Sequence, residues 1–204
     1  MGIIRVGMIG TGGIAGWHAR QLLELSEVQI AALADTSEAN RNAFAEKFGL
    51  RDAALYSDYM EMLDRTNLDA VVICSPHTLH FRQAHDVLSR GLHVLIEKPM
   101  TCSSAEAELL IQKAKQAGKI LQVSYQRHFQ PEFLYIRDAI AGGEIGRLTS
   151  ITASLYQEWR QGTTGSWRQD TALSGGGFLM DSGSHIIDVL LWTTDLTPVE
   201  VKPQ

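Results

Sequence analysis

Short apolar runs alternate with amphipathic segments over the first 125 residues. The runs are typical of buried parallel strands and cover residues 3–9, 28–34, 69–75, 93–97 and 120–125. The intervening segments predict helices at residues 13–25, 37–48, 77–90 and 103–117. Ser103 and Glu106 fit a capping box at the start of the last helix, and Gly118 suits its C-terminal end. This alternation predicts an open parallel sheet with helices on both faces.

The pattern changes near residue 130. Pro131 predicts the start of a helix that a glycine-rich stretch ends, and the alternating, Thr-rich residues 148–159 predict a long strand with one less buried face. A polar loop over 160–174 leads to a glycine triplet and a helix over 179–193, and residues 199–204 look like the beginning of another strand. We therefore expect two domains, the first over residues 1–125 and an incomplete α+β domain over 126–204.

Composition narrows the class of protein. Hydrophobic residues make up 45% of the 204 residues and charged residues 20%, which is ordinary for a folded domain. The net charge of −5 disfavours nucleic acid and anionic membranes as partners. No run is long enough to span a bilayer, and the N-terminus lacks the pattern of a signal peptide. Cys74 and Cys102 have no metal-like spacing, so we expect free thiols, no metal site and a cytoplasmic location.

A glycine loop follows the first predicted strand. The stretch Gly10-Thr11-Gly12-Gly13-Ile14-Ala15 fits G-x-G-x-x-A between a strand and a helix, the context that favours a dinucleotide site over a plain glycine turn. Gly10 would permit the tight turn, Gly12 would let a pyrophosphate approach, and Ala15 would keep the helix close to the sheet. Asp35, at the end of the second strand, suits ribose hydroxyls and favours NAD. The hydroxyls of Thr36 and Ser37 keep NADP possible.

Two further features offer chemistry. Lys98 lies just after the fourth predicted strand, where ligands of such sheets bind, and its ammonium group could polarise a substrate oxygen. The alternative is a solvated lysine. Asp181 and His185 are four residues apart, so a helix would place them on one face. Spacing alone favours a helix cap and a half-buried histidine for this pair.

These motifs, in this order, resemble the glucose-fructose oxidoreductase/inositol dehydrogenase (GFO/IDH/MocA) family. The resemblance spans nearly the whole chain and includes Glu97-Lys98-Pro99 and Gly175-Gly176-Gly177-x-x-x-Asp181-x-x-x-His185. It implies a Rossmann-like domain followed by a domain with a mostly antiparallel sheet. It also implies that Lys98, Asp181 and His185 are the catalytic set and that the 98–99 peptide bond is cis. His185 would then accept an alcohol proton while Lys98 stabilises alkoxide character.

The resemblance extends to the binding residues. The Ser75-Pro76-x-x-x-His80 loop would lie near the nicotinamide, although His77 stands where relatives often have asparagine. Spacing alone suggests that His80 is a structural helix residue. The full set of expected cofactor contacts is Gly10, Thr11, Gly12, Gly13, Ile14, Asp35, Ser75, Pro76, His77, His80, Glu97 and Lys98. Sugar contacts are expected from Arg127, Tyr156, Trp167 and Arg168, while Trp159 and Trp167 are equally compatible with packing.

The expected function is hydride transfer between NAD(P) and a secondary hydroxyl of a sugar, inositol or related polyol. Two alternatives stay open, namely an NAD-dependent glycosidase of the same superfamily and a non-catalytic regulator or inactive fragment. Relatives are much longer, so the chain resembles a C-terminally truncated member. Full-length relatives form homo-oligomers through the sheet of the second domain.

Overall fold

A computed structural model describes residues 2–202 of the chain. The chain forms two compact units. The first unit comprises Met1–Ser124 together with Ala172–Gly175, and the second comprises Tyr125–Thr171 and Gly176–Gln204. Within residues 2–202, no helix has the length and apolar character needed to cross a membrane.

The first unit contains a parallel sheet of six strands in the order β3-β2-β1-β4-β5-β6. The chain runs from the centre to one edge and then returns to continue on the other side of β1, which is the order of a doubly wound dinucleotide-binding fold. The strands are β1 (Ile4–Ile9), β2 (Val28–Ala34), β3 (Ala54–Tyr56), β4 (Ala70–Ile73), β5 (His93–Ile96) and β6 (Leu121–Val123).

Five helices connect the strands of the first unit. They are α1 (Gly13–Leu23), α2 (Glu38–Lys47), α3 (Tyr59–Arg65), α4 (His80–Ser89) and α5 (Ser104–Ala117). The Ser103 side chain accepts a hydrogen bond from the Glu106 amide, and Gly118 ends α5 at a φ of 62°, so both predicted ends of this helix are confirmed.

Apolar side chains cover both faces of the sheet. One buried cluster includes Ile73, Val87 and Leu110, and the other includes Met8, Leu33 and Phe44. Two such layers are what near-continuous apolar strands require, because the central strands β1, β2 and β4 bury side chains on both faces. The sequence prediction of a doubly wound α/β unit is confirmed.

The second unit is helical. It contains α6 (Pro131–Ala141), α7 (Trp159–Gly162) and α9 (Ser184–Thr194), and a π-helical turn over Leu179–Gly183 leads directly into α9. The short helix α8 (Thr171–Ser174) lies where the chain passes from the second unit into the first. Helix α6 packs against α9.

The predicted elements differ from the structure at four places. Strand β3 and helix α3 were not predicted, because β3 has only three residues and polar turn residues flank it. Residues 148–158 form no strand within the described part of the chain, since alternation alone cannot form a strand without a partner for its backbone groups. The predicted polar loop over 160–174 includes short helical turns. The predicted strand start at 199–204 is irregular up to Lys202, and its last two residues lie outside the described range.

Candidate functional site

The carboxyl ends of β1 and β4 adjoin at the point where the strand order reverses, which is where ligands of open α/β sheets bind. Gly10 follows β1 with a φ of 86°, and a Cβ there would lie 2.8 Å from the carbonyl of Cys74. Only glycine meets both demands. A Cβ added at Gly12 or Gly13 would meet nothing within 4 Å, so the start of α1 faces open space. Ala15 is fully buried, as predicted.

The carboxylate of Asp35 is tied to the glycine loop. Its Oδ2 accepts hydrogen bonds from the amide and the hydroxyl of Thr11, at 2.8 and 2.9 Å, and its Oδ1 accepts one from the Ser37 amide at 2.9 Å. Arg41 donates to the Asp35 carbonyl oxygen. Asp35 therefore fixes the loop after β1 against the end of β2, in addition to the ribose contact that the sequence predicts.

Glu97, at the end of β5, forms a buried pair with a residue of α1. Its Oε1 lies 2.7 Å from Nε2 of His18, and both side chains are buried. Burial alone would raise the pKa of Glu97, but the hydrogen bond and charge of His18, together with Lys98, lower the pKa below its ordinary value. Lys98 is half-buried, and the Lys98–Pro99 peptide bond is cis, as the resemblance implies.

The loop after β4 holds the segment Ala172–Gly175 of the first unit. Nδ1 of His77 lies 3.0 Å from the Ser174 carbonyl, and the Thr78 hydroxyl donates to the carbonyl of Ala172 at 2.9 Å. Gly175 has a φ of 67°, and a Cβ there would collide with Sγ of Cys102. The imidazole of His77 is buried.

His80 is fully buried, with 0% of its surface exposed. Its Nδ1 lies 2.8 Å from the Pro99 carbonyl and its Nε2 lies 3.0 Å from the Ser75 carbonyl. Burial lowers the pKa of His80, although the two carbonyl contacts oppose this effect. The side chain of His80 therefore holds the Ser75 loop against the Pro99 loop.

Asp181 lies in the π-helical turn and is buried. Its Oδ2 accepts hydrogen bonds from the indole of Trp159 at 2.8 Å and from Nε of Arg168 at 3.0 Å. The guanidinium of Arg168 also lies over the ring of Trp167, 4.4 Å from its centroid. Two donors on one oxygen fix the orientation of this carboxylate.

His185 occupies the first turn of α9, after the π-helical turn that contains Asp181. The single regular helix predicted over 179–193 needs this correction: hydrogen-bonded partners in a π-helical turn lie five positions apart, so its side chains do not follow α-helical spacing. The ring of Tyr125 packs edge-to-face with the His185 imidazole, with centroids 6.1 Å apart.

The predicted sugar-binding residues of the second unit differ in their surroundings. Tyr156 is 89% exposed, within an irregular segment. Arg127 lies over the ring of Phe133, 5.8 Å from its centroid. Trp167 and Arg168 stack on each other, and Arg168 also binds Asp181, so this pair contributes to the surroundings of the candidate catalytic carboxylate. Among residues 2–202, no cluster of three or more His, Cys, Asp or Glu side chains has a geometry that could hold a metal ion.

Comparison with known families agrees with this architecture. Residues 4–125 match the model of an oxidoreductase family with an NAD-binding Rossmann fold, GFO/IDH/MocA, and residues 133–203 match the model of the C-terminal domain of the same family. The chain belongs to the GFO/IDH/MocA family.

Curated GFO/IDH/MocA relatives are considerably longer than the chain. It is 31% identical over 198 residues to the rhizopine catabolism protein MocA of Rhizobium meliloti, covering 97% of the chain and 59% of that relative. It is 29% identical over 200 residues to the D-glucoside 3-dehydrogenase of Escherichia coli, covering 97% of the chain and 56% of that relative. The chain thus spans less than two thirds of the length of these relatives.

Solved GFO/IDH/MocA structures share the fold. The WlbA dehydrogenase from Bordetella pertussis, in complex with NADH and UDP-GlcNAcA, superposes with a TM-score of 0.81 at 27% identity, over 94% of this chain and 55% of that one. The scyllo-inositol dehydrogenase from Lactobacillus casei, with bound NAD(H) and scyllo-inositol, superposes with a TM-score of 0.79 at 25% identity, over 95% and 56%.

Sequence reasoning missed several residues of this GFO/IDH/MocA site. His18 gave no signal, because its partner Glu97 is 79 residues away in the sequence. Trp159 was compatible with packing, yet its indole binds Asp181. Tyr125 ended a predicted strand, and its contact with His185 depends on the fold of the second unit. All three contacts join residues that are far apart in the chain, so local patterns could not reveal them.

Proposed function

We propose that this protein is an NAD(P)-dependent oxidoreductase that transfers hydride between the nicotinamide and a secondary hydroxyl of a sugar, inositol or related polyol. The observation that carries the proposal is the glycine loop at the switch point of the sheet, bonded through Thr11 to Asp35, in a chain of the GFO/IDH/MocA family. Relatives named as D-glucoside and inositol dehydrogenases support the class of substrate.

The first unit fits a dinucleotide. Open space at Gly12 and Gly13 leaves room for a pyrophosphate at the start of α1, where unpaired amides and the helix dipole favour an anion. Thr11 and Ile14 belong to the same loop, and the backbone of Ser75, Pro76 and His77 borders it at the end of β4. Asp35 would bind the ribose and favour NAD over NADP. The bound dinucleotide supplies the hydride acceptor for oxidation of the hydroxyl.

We assign the protein's own chemistry to Lys98, Asp181 and His185. The imidazole of His185 accepts the proton of the substrate hydroxyl, a role that a neutral imidazole can fill. The ammonium of Lys98 stabilises the alkoxide character that develops on the same oxygen. Asp181, oriented by Trp159 and Arg168, grips a neighbouring hydroxyl or orients the imidazole.

The same proposal covers the sugar contacts, the cellular location and the oligomeric state. Arg127, Tyr156, Trp167 and Arg168 would contact the sugar, since guanidinium groups and aromatic faces suit hydroxyl-rich rings. Both cysteines are free thiols, which accords with the proposed cytoplasmic location. Because the chain belongs to the GFO/IDH/MocA family, we propose that the complete protein forms a homo-oligomer.

Calorimetry with NAD, beside an NADH absorbance assay over a panel of polyols and sugars, tests the function. Lys98→Ala and His185→Ala should each lower kcat at least about a hundredfold while NAD affinity stays within about twofold. Lys115→Ala and His85→Ala, at exposed positions of α5 and α4, serve as controls. NAD binding with no turnover on any substrate would overturn the enzyme assignment and favour a regulator. Cleavage of a glycoside without net NADH would favour a glycosidase.

A further inference from the structure

Aromatic and ionic contacts cover one face of α9 in the second unit. His185, Asp188 and Trp192 follow one another at spacings of three and four residues, so their side chains lie along one face of the helix. The segment Gln126–Phe129 and the preceding Tyr125 pack against this face.

His128 is held on two sides. Its Nε2 lies 2.8 Å from Oδ2 of Asp188, and its ring stacks on the indole of Trp192 with centroids 4.3 Å apart and planes inclined by 8°. The guanidinium of Arg137 lies 4.5 Å from the centroid of the same indole. A histidine with a carboxylate partner and a stacked face has little rotational freedom.

Tyr125 connects His128 and its contacts to the candidate catalytic residues His185 and Asp181. Its ring lies 6.2 Å from that of His128 at an interplanar angle of 20°, and 6.1 Å from that of His185 at 85°. The side chain of Tyr125 interacts with that of Ser184, whose hydroxyl donates to the carbonyl of Asp181 at 2.9 Å. Tyr125 therefore contacts His185 directly and Asp181 through one residue.

We propose that Tyr125 is a positioning residue for His185 and Asp181, and that His128, fixed by Asp188 and Trp192, holds Tyr125 in place. Edge-to-face packing fixes the plane of the His185 imidazole, and the interaction with Ser184 connects Tyr125 to the carbonyl of Asp181. This inference rests on the proposed function for its catalytic consequence, because His185 matters as a proton acceptor only if the protein oxidises an alcohol.

The electrostatics of the cluster agree with close packing. Burial raises the pKa of Tyr125, and the charge of Asp188 adds to this effect. Burial also raises the pKa of Asp188, while His128 and Arg127 oppose the rise. The interaction of Tyr125 with Ser184 opposes the rise in the pKa of Tyr125.

Histidine ring resonances test the positioning without any turnover. With carbon-13-labelled histidine, the His185 signal is assigned by its loss in His185→Gln. Tyr125→Phe keeps the ring and should leave the His185 shift nearly unchanged, whereas Tyr125→Leu removes the ring current and should move the signal. Tyr135→Leu, at an exposed tyrosine of α6, is the matched control. An unmoved His185 signal in Tyr125→Leu overturns the proposal.

The role of His128 and Asp188 in holding Tyr125 is tested separately. His128→Gln and Asp188→Asn should each move the His185 signal in the same direction as Tyr125→Leu, because each loosens Tyr125. Asp138→Asn, at an exposed position of α6, should leave it unmoved. If His128→Gln fails to fold, Asp188→Asn, which keeps the shape of the side chain, carries the test. If neither variant moves the His185 signal, His128 contributes only packing, and its role in holding Tyr125 is contradicted.

Turnover then separates this proposal from the proposed function. Tyr125→Leu should lower kcat about tenfold to a hundredfold with KM within about threefold, and Tyr125→Phe, which keeps the ring against His185 but loses the hydroxyl near Ser184, should recover part of kcat. A wild-type chain without activity would overturn the enzyme assignment and leave the resonance test standing. If the enzyme is active and Tyr125→Leu leaves kcat unchanged, the positioning role of Tyr125 is overturned and the proposed function stands.

Discussion

At the scale of single residues, Asp35 shows how one carboxylate serves both the fold and the proposed cofactor site. It accepts hydrogen bonds from Thr11 and Ser37 and would also bind a ribose. Asp35→Ala should weaken NAD binding at least about tenfold, because bonds to a charged acceptor are lost. NADP binding should fall less, since the same change removes repulsion of the 2′-phosphate.

Calorimetry with both dinucleotides measures this difference. Asp52→Ala, at an exposed turn, is the control, and its affinities should match those of the wild type. An unchanged ratio of NAD to NADP affinity in Asp35→Ala would count against the ribose contact and leave Asp35 as a loop anchor only.

The buried Glu97–His18 pair makes a prediction about pH and stability. The pKa of Glu97 lies below its ordinary value of 4.5, so its carboxylate stabilises the fold at every pH above that value. This contribution is lost as the pH falls through the lowered pKa. Glu97→Gln should therefore lower the free energy of unfolding by about 1–3 kcal/mol at neutral pH and make the acid limb of the stability profile shallower.

Urea unfolding at a series of pH values measures the effect. Glu108→Gln, on the exposed side of α5, should change neither the midpoint at neutral pH nor the slope in acid. A Glu97→Gln profile parallel to that of the wild type would show that Glu97 does not contribute through its ionisation.

At the scale of elements, periodicity identified most of the first unit and the helices α6 and α9 of the second, but it was wrong about residues 148–159 and missed the π-helical turn. Strand β2 and helix α5 follow their patterns closely, because apolar runs and capping residues act locally. The alternation over 148–159 predicted a strand, but a strand also needs a partner, which local pattern does not encode. The π-helical turn was missed for a related reason, since the spacing of Asp181 and His185 fits an α-helix equally well.

The conformation of Gly175, at the end of the segment Ala172–Gly175, leads to a prediction about stability. Gly175→Ala should destabilise the first unit by about 1–3 kcal/mol for the left-handed backbone alone. The contact of the new Cβ with Sγ of Cys102 adds to this cost. Thermal unfolding and limited proteolysis of residues 172–177 measure the effect.

A double-mutant cycle separates the two causes. Cys102→Ala should relieve the part of the Gly175→Ala cost that arises from the contact and leave the backbone part. Gly177→Ala is the matched control, because its φ is not positive and its Cβ would meet no atom within 4 Å. Equal costs at positions 175 and 177 would contradict the account.

At the scale of the whole molecule, the two units differ in how much apolar surface they bury. Both large buried clusters consist of residues of the first unit. Among the described residues of the second unit, the buried hydrophobic residues are Ala139 and Val189. Since burial of apolar surface is the main stabilising term, the second unit should open more readily than the first.

Hydrogen exchange followed by mass spectrometry tests this difference. Amides of α6 and α9 should exchange much faster than those of β1, β2 and β4, because protection follows the free energy of local opening. NAD at about a hundred times its dissociation constant should stabilise the unit that binds it by about 2.7 kcal/mol, which slows exchange there about a hundredfold. We expect this slowing in the strands of the first unit, while exchange of α6 changes little. Equal protection of both units without NAD, or slowing confined to the second unit, would contradict the assignment of the dinucleotide to the glycine loop after β1.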